Sequence, residues 1–380
     1  MAALDIAVAS SLGYTKARTF FIACVSPNIE LVQRVMGSTV IDAASSRAPI
    51  RRALLIGIDY GHGPVTMRLN GTHTDVDITR ELLMAQYHFH LNDITILVDK
   101  PGTEDHMKPT RTNMLRELQA LVQDPSPGGA YFVLYSGHGV QHDTHGDSVR
   151  KDEYLVPMDA VHEYSDDYLN DNLIMGDDLK RILVDPIAKV PKARLTVVFD
   201  CCHSGTVLDL CHHRCNRAYN LKSTYRRLCR RVKEVFPEPG ETIQAFAEPW
   251  TILALEQVFL TMSIGHRKKK ERSSKTCDGY CTRTRPIGGG NVLCISACKD
   301  SQSAFGNEEG GSLTTALVAT LKEEPHPVLR ELYRNVSHSV DSVIRKHVRS
   351  LFKSVSQNPQ FSSLSPLHMK EVFVLQEPVD

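Results

Sequence analysis

Leu195-Thr-Val-Val-Phe-Asp-Cys-Cys-His-Ser-Gly205 is a short apolar run, rich in β-branched residues, that ends in polar residues and a glycine. A run of this kind predicts a buried strand of a parallel sheet. Two cysteines follow the strand directly, and open α/β sheets place their reactive groups at the carboxyl ends of strands. This stretch therefore predicts both the fold class and a reactive thiol.

A second apolar run, Tyr131 to Tyr135, has the same character and leads into Ser136-Gly137-His138-Gly139. The glycines on either side of His138 let the backbone turn sharply and approach a substrate closely. A thiol is mostly protonated at neutral pH, and a neighbouring imidazole can hold it as the thiolate. The two strand ends together predict a cysteine nucleophile with a histidine partner, although a histidine between glycines is also typical of a plain turn.

The composition is that of a globular protein with one sizeable α/β core: 380 residues, 42% apolar and 23% charged. The 44 basic residues balance 44 acidic ones, so no overall field favours nucleic acid or an anionic membrane. Ten unevenly spaced cysteines and no evident secretory signal favour a reducing compartment, the cytoplasm or the nucleus. No apolar stretch is long enough to span a membrane, and we expect a monomer.

Strand-like and helix-like segments alternate along the rest of the chain. Strands are expected at 53–58, 94–98, 291–297 and 371–375, and helices at 74–87, after Pro109, and at 175–183, 312–321 and 327–343. An acidic loop is expected after His138. The alternation predicts an α/β fold, with a mainly parallel sheet flanked by helices on both faces.

Composition divides the chain into an N-terminal extension of residues 1–48, a large catalytic part of 49–210, a basic linker or insertion of 211–286, and a small part of 287–380 that completes the sheet. The basic runs of the linker lack interleaved aromatic residues, which favours a solvated loop over a nucleic-acid site. Two Cys/His clusters, at 211–215 and 277–281, could bind zinc, but their spacing is irregular for zinc modules.

Several motifs, in the same order, resemble those of the metacaspases, the caspase-like cysteine peptidases of fungi, plants and protists. They are Arg-Arg-Ala-Leu-Leu-Ile-Gly-Ile at 51–58, Leu69-Asn70-Gly71 with Asp75, Pro109 to Met114, Tyr135 to Gly139, Phe199 to Gly205, Ser296 to Gln302 and Gln357 to Gln360. The resemblance covers nearly all of the chain from about Arg51 onward, and its layout is similar to the type I or fungal group. It implies a caspase-like fold and cysteine peptidase activity.

The resemblance also assigns roles. The family pattern Asp-x-Cys-His-Ser-Gly aligns with the nucleophile at Cys202 and leaves Cys201 at the variable position. His138 matches the general base and acid, and the backbone amides of Cys202 and Gly139 match the oxyanion hole, where each donor supplies roughly 3 kcal/mol.

An acidic specificity pocket is implied in the same way. Asp75 and Asp200 match its two aspartates, with Ser136 beside them. Recessed carboxylates pair well with arginine or lysine, so cleavage after Arg or Lys is expected. Either aspartate could instead cap a helix or a turn. Thr72 stands where family members often have a cysteine, which concerns the detail of the pocket more than its charge.

A calcium site is the last implication. Asp177, Asp178 and Asp209 match the family's calcium ligands, and Asp152 and Glu153 are further candidates. Clustered carboxylates suit Ca²⁺ and not zinc. The aspartate pair could equally complement the dipole of a helix N-terminus.

The sequence thus predicts a calcium-stimulated cysteine endopeptidase that cuts protein substrates after Arg or Lys and processes itself within the linker. The alternative from another class is a non-catalytic caspase-like protein that binds damaged or aggregated proteins.

Overall fold

The computed structural model describes residues 50–144, 147–202, 204–212, 216, 289–297, 306–307, 310–347 and 357–375. All of them belong to one compact unit, Pro49–Asp380. The expectations for residues 1–48, for the basic runs of the linker and for the cluster at 277–281 lie outside the described residues, as does most of the cluster at 211–215. Within the described part, no helix combines the length and the apolar character that crossing a membrane requires.

Strands and helices alternate through the first three strands of the chain, and three further strands then precede the next helix. The strands are β1 Arg51–Gly57, β2 Ile94–Val98, β3 Ala130–Ser136, β4 Gly139–Thr144, β5 Asp147–Leu155, β6 Ile174–Met175, β7 Arg194–Asp200, β8 Asn291–Ser296, β9 Gly306–Asn307, β10 Gly310–Gly311 and β11 Gln360–Ser363. The helices are α1 Thr72–Tyr87, α2 Arg111–Leu121, α3 Gly176–Leu179, α4 Asp185–Ala188, α5 Ser312–Glu323 and α6 Leu329–His347, and a π-helical turn, Lys180–Val184, joins α3 to α4.

The central sheet has six strands in the order β11-β8-β7-β3-β1-β2. Every neighbouring pair is parallel except β11, which runs antiparallel to β8 at the edge. Side chains alternate between the two faces of each strand. Along β1, Leu54 and Ile56 pack in the same cluster as residues of α2, whereas Leu55 packs with residues of α1, α5 and α6. The fold class expected from the sequence, a mainly parallel sheet covered by helices on both faces, is confirmed.

Helix α2 begins as the sequence predicts. The side chain of Thr110 accepts a hydrogen bond from the backbone nitrogen of Asn113 at 3.3 Å, which caps the helix. Met114, Leu118 and Leu121 follow at helical spacing and are buried against the sheet.

Two expectations about local structure were wrong. The segment after His138 was expected to be a loop, but it forms an antiparallel hairpin of β4 with β5. Backbone pairing extends along both strands although they carry charged side chains. Residues 371–375 do not form a strand: Val372 makes a single bridge with Val328, and Phe373 and Leu375 are buried in the hydrophobic cluster that includes α5 and α6. The last strand of the sheet is β11 instead.

Candidate active site

Strand register brings the histidine and cysteine segments together. β3 and β7 are parallel neighbours, and their last matched pair is Ser136 with Asp200. The backbone nitrogen of Gly137 donates to the carbonyl oxygen of Asp200 at 3.5 Å. His138 and Cys202 therefore each lie two residues beyond the same pair, at the carboxyl edge of the sheet.

Glycine at position 139 allows the two segments to touch. A Cβ atom there would overlap the carbonyl oxygen of Cys202 and lie 3.3 Å from Sγ of Cys201. Only a residue without a side chain permits this approach.

The two adjacent cysteines have different surroundings. Cys201 is 1% exposed and belongs to the hydrophobic core, whereas Cys202 is only partly buried. Tyr168 lies near the second thiol: burial raises the pKa of Tyr168 most, and the neighbouring Cys202 raises it further. The structure therefore presents Cys202, not Cys201, to the site.

The ring of His138 is fixed on one side by the backbone. Its Nε2 lies 2.7 Å from the carbonyl oxygen of Met67. A carbonyl can only accept, so Nε2 carries the proton and Nδ1 of the neutral ring is left as an acceptor. Burial lowers the pKa of His138, and the bond to Met67 raises it by less, so the ring is held neutral more readily than a histidine in water.

Tyr60 supports the same histidine from a second direction. The two rings stack with centroids 4.6 Å apart. The hydroxyl of Tyr60 accepts from the backbone nitrogen of His138 at 2.9 Å and donates to the carbonyl oxygen of Val156 at 2.6 Å. Sequence analysis identified neither Tyr60 nor Met67, because a stacking ring and a backbone carbonyl from a distant loop leave no motif.

The three residues of the expected acidic pocket lie together. Asp75 and Asp200 are 0% and 6% exposed. The hydroxyl of Ser136 donates to Oδ2 of Asp75 at 2.6 Å. Oδ2 of Asp200 accepts from the backbone nitrogen of Thr314 at 2.8 Å and from its hydroxyl at 2.9 Å.

Both carboxylates are shifted toward the protonated form. Burial raises the pKa of Asp75 well above its usual range, and the nearby Asp200 raises it further. Burial raises the pKa of Asp200 to about 6, against the bonds from Thr314. Two buried carboxylates in one recess favour the entry of a cation, which would relieve their repulsion.

The recess is closed by β10. The backbone nitrogen of Gly311 donates to Oδ1 and Oδ2 of Asp75 at 2.9 and 3.0 Å. A Cβ on Gly311 would overlap Oδ2 of Asp200 and lie 2.9 Å from Oδ2 of Asp75. Gly310 has φ +123°, and a Cβ added there would lie only 2.5 Å from Oδ1 of Asp75. Glycine backbone thus lies directly against both carboxylates.

Two of the residues expected to bind calcium, Asp178 and Asp209, form ion pairs with different basic side chains. Asp177 and Asp178 lie in the first turn of α3, and Asp178 pairs with Arg181 at 2.6 Å. Asp209 pairs with Lys180 at 3.0 Å. No three His, Cys, Asp or Glu side chains among the described residues are grouped so that they could hold a metal ion.

Glu153 and Asp152 complete that set. Oε1 of Glu153 accepts from Thr206 at 2.7 Å and from Gln141 at 3.1 Å. Asp152 and Asp177 both lie near Tyr154, whose pKa is raised first by burial and then by these two carboxylates. The oxygen donors are of the type that Ca²⁺ prefers, but in this arrangement they do not form a cage.

Comparison with known proteins identifies the class. A family model described as "Metacaspase, peptidase C14 domain" matches residues 51–211. Metacaspase-1B of Aspergillus fumigatus is 30% identical over 338 residues, which cover 86% of this chain and 72% of that protein. Metacaspase-1 of Kluyveromyces lactis is 31% identical over 327 residues, which cover 82% of this chain and 68% of that protein. Among solved structures, caspase-1 of Spodoptera frugiperda is 11% identical, with a TM-score of 0.39 over 86% of this chain and 90% of that one.

The matches to curated metacaspases define a caspase-like cysteine peptidase, an enzyme that acts on protein substrates. Within that class, the chain belongs to the metacaspase family.

Proposed function

We propose that this protein is a cysteine endopeptidase that cleaves after Arg or Lys, with Cys202 as the nucleophile and His138 as the general base and acid. The observation that carries the proposal is the register of β3 with β7, which sets both residues two positions beyond the pair Ser136 and Asp200. The partial exposure of Cys202 and the burial of Cys201 support the choice of thiol.

The reaction follows from the orientation of His138. Because Nε2 donates to the Met67 carbonyl, Nδ1 is the nitrogen that takes the thiol proton. The Cys202 sulfur attacks the scissile carbonyl carbon, and backbone amides of Cys202 and Gly139 stabilise the oxyanion. The proton on Nδ1 passes to the amine as the C–N bond breaks. Water, deprotonated by His138, then hydrolyses the thioester and frees the thiol.

Specificity for basic residues rests on Asp75 and Asp200. A guanidinium or ammonium group between them would let both carboxylates ionise and would replace the amide of Gly311 as their donor. An aspartate side chain would add a third negative charge to the recess. Substrate binding therefore requires the backbone at Gly310 and Gly311 to move away from the carboxylates.

Calcium is proposed as a stimulus and not as part of the chemistry. Asp177, Asp178 and Asp209 are the proposed ligands, with Asp152 and Glu153 as further candidates. Binding requires Lys180 to leave Asp209, and it would order the segment that follows Cys202. Self-processing in the linker, at its arginine and lysine runs between 226 and 270, agrees with the proposed specificity.

The test is release of a fluorophore from peptides capped with Arg, Lys or Asp, with and without calcium. We expect the wild type to cleave the Arg and Lys peptides, and Cys202→Ala and His138→Ala to abolish turnover. Cys201→Ala is the matched control and should retain it. Loss of turnover in Cys201→Ala with full activity in Cys202→Ala would overturn the nucleophile, and equal cleavage of Asp and Arg peptides would overturn the acidic pocket.

Self-processing has its own measurement. Purified wild type and Cys202→Ala are incubated with calcium, and the fragments are mapped by mass spectrometry. New termini after Arg or Lys within 211–286, in the wild type alone, are the expected result. Identical intact chains in both samples would contradict self-processing.

A further inference from the structure

The loop between β1 and α1 carries both groups that fix His138. Met67 supplies the carbonyl for Nε2, and Tyr60 supplies the stacking ring and the hydroxyl. Displacement of this loop would remove these contacts, so the groups that hold the loop also support the orientation of the imidazole.

Tyr60 needs support from its surroundings. Its backbone has φ +54°, a left-handed conformation that aromatic residues rarely adopt, and its side chain is fully buried. Asp99, which follows β2, accepts from the backbone nitrogens of Asp59 at 2.9 Å and of Tyr60 at 2.7 Å. These two bonds hold the loop where it leaves the sheet.

His73, in the first turn of α1, bridges the carboxylate of Asp99 and that of Asp59. Its Nε2 lies 2.7 Å from Oδ1 of Asp99, and its Nδ1 lies 3.1 Å from Oδ2 of Asp59. A carboxylate oxygen only accepts, so both bonds are made together when the ring is protonated and donates from both nitrogens. Burial raises the pKa of Asp99, but the bond from His73, the two backbone bonds and the charge of His73 outweigh it and leave the pKa lowered. Asp99 is therefore charged.

We propose that His73 is a positioning residue for the peptidase reaction: by bridging Asp59 and Asp99 it holds Tyr60 and the Met67 loop, and through them it orients the imidazole of His138. The proposal rests on the function proposed for Cys202 and His138. A chain of contacts, each 2.9 Å or shorter, connects the two histidines: His73 to Asp99, Asp99 to the backbone of Tyr60, and Tyr60 to the backbone of His138.

The test measures alkylation of Cys202 by iodoacetamide as a function of pH, followed by mass spectrometry. This reagent carries no basic group, so the acidic recess does not influence the result. A histidine that holds the thiolate places the midpoint of the profile below the usual thiol pKa of about 8.5. We expect His73→Gln and Asp99→Asn, which keep the size of each side chain, to move the midpoint upward toward that of His138→Ala. We also expect them to lower kcat on an Arg peptide by about 10- to 100-fold.

The control is His106→Ala, which removes an exposed histidine whose side chain pairs with Glu104 at 3.3 Å. It should keep the wild-type midpoint and kcat. Thermal unfolding of every variant identifies loss of stability. If His73→Gln and Asp99→Asn lower the melting temperature but keep the wild-type midpoint, His73 is merely structural and the inference is overturned. If His138→Ala itself leaves the midpoint unchanged, the proposed dyad fails, and that failure is distinct from the first.

Discussion

The backbone nitrogen of Gly311 lies within 3.0 Å of both carboxylate oxygens of Asp75, in the recess that Asp75 shares with Asp200. A neutral amide thus occupies the position proposed for the cation of a basic substrate. Both carboxylates accept hydrogen bonds from neighbouring groups without such a cation. Burial nevertheless raises the pKa of each. The proposed specificity therefore predicts that β10 opens before a basic substrate binds.

Gly311→Ala tests whether that glycine seals the recess. The added methyl group would collide with Asp200, so β10 must shift, and we expect a loss of about 1–3 kcal/mol of folding free energy. KM for an Arg peptide should fall, because part of the cost of opening is already met in the free enzyme. Gly289→Ala, whose Cβ would lie 2.9 Å from the carbonyl oxygen of Ala188, is a control for strain elsewhere and should lower Tm without changing KM. An unchanged Tm and KM in Gly311→Ala would contradict the seal.

Asp200→Asn tests the buried charge. The pKa of Asp200 is about 6 in the folded chain, above its usual value of 3.8, so the folded state binds more protons than the unfolded state between these values. Stability contributed by this group is therefore present at low pH and lost as pH rises through about 6. We expect Asp200→Asn to be more stable than the wild type at pH 7.5, by up to about 3 kcal/mol, with the gain vanishing near pH 4. Denaturant unfolding at both pH values measures this, with the exposed Asp171→Asn as the control.

Asp200→Asn is expected to stabilise the fold but to weaken the binding of a basic substrate. A guanidinium needs ionised carboxylates, so KM of the wild type for an Arg peptide should rise as pH falls below about 6. In Asp200→Asn the KM should be high at every pH. A variant that keeps the wild-type KM would show that Asp200 does not meet the substrate.

Substitution of Cys201 should affect folding stability, whereas substitution of Cys202 should affect turnover. Cys201→Ala removes a buried sulfur, and we expect it to cost about 1 kcal/mol of folding free energy with turnover retained. Cys202→Ala, at a partly exposed position, should abolish turnover with little change in Tm. Thermal melts and peptide assays of the two variants measure both effects, and the reverse pattern would contradict the assignment.

Lys180 should compete with calcium for Asp209. The pair is partly exposed, and such pairs contribute about 0.2–1 kcal/mol, so removing the ammonium group should make calcium binding easier. We expect Lys180→Ala to lower the calcium concentration for half-maximal stimulation by up to about fivefold. Lys322→Ala, which removes a lysine lying 3.7 Å from Glu81, should leave it unchanged. Activity that does not respond to calcium in any variant would remove the calcium proposal.

The two central strands were predictable from the sequence, since β3 and β7 are largely apolar, β-branched or aromatic, and buried. Once they are neighbours in a parallel sheet in this register, counting residues places His138 and Cys202 two positions beyond the same pair. Membership of a cysteine peptidase family, expected from the motifs, is likewise confirmed.

Backbone partners were not predictable. The carbonyl of Met67 and the amide of Gly311 belong to every residue type alike, so no side-chain pattern marks them. The positive φ of Tyr60 is equally hidden, because aromatic residues normally avoid it. Residues 371–375 misled for another reason: this mostly apolar run of strand length is buried against helices and pairs only through the single bridge of Val372 with Val328.

The ladder between β7 and β8 joins residues that precede the basic linker to residues that follow it, with matched positions from Arg194 with Asn291 to Phe199 with Ser296. A nick anywhere in 211–286 would therefore divide the chain without dividing the sheet. The two fragments should co-elute as one particle and part only in denaturant, so an intact elution volume would conceal a fully processed enzyme.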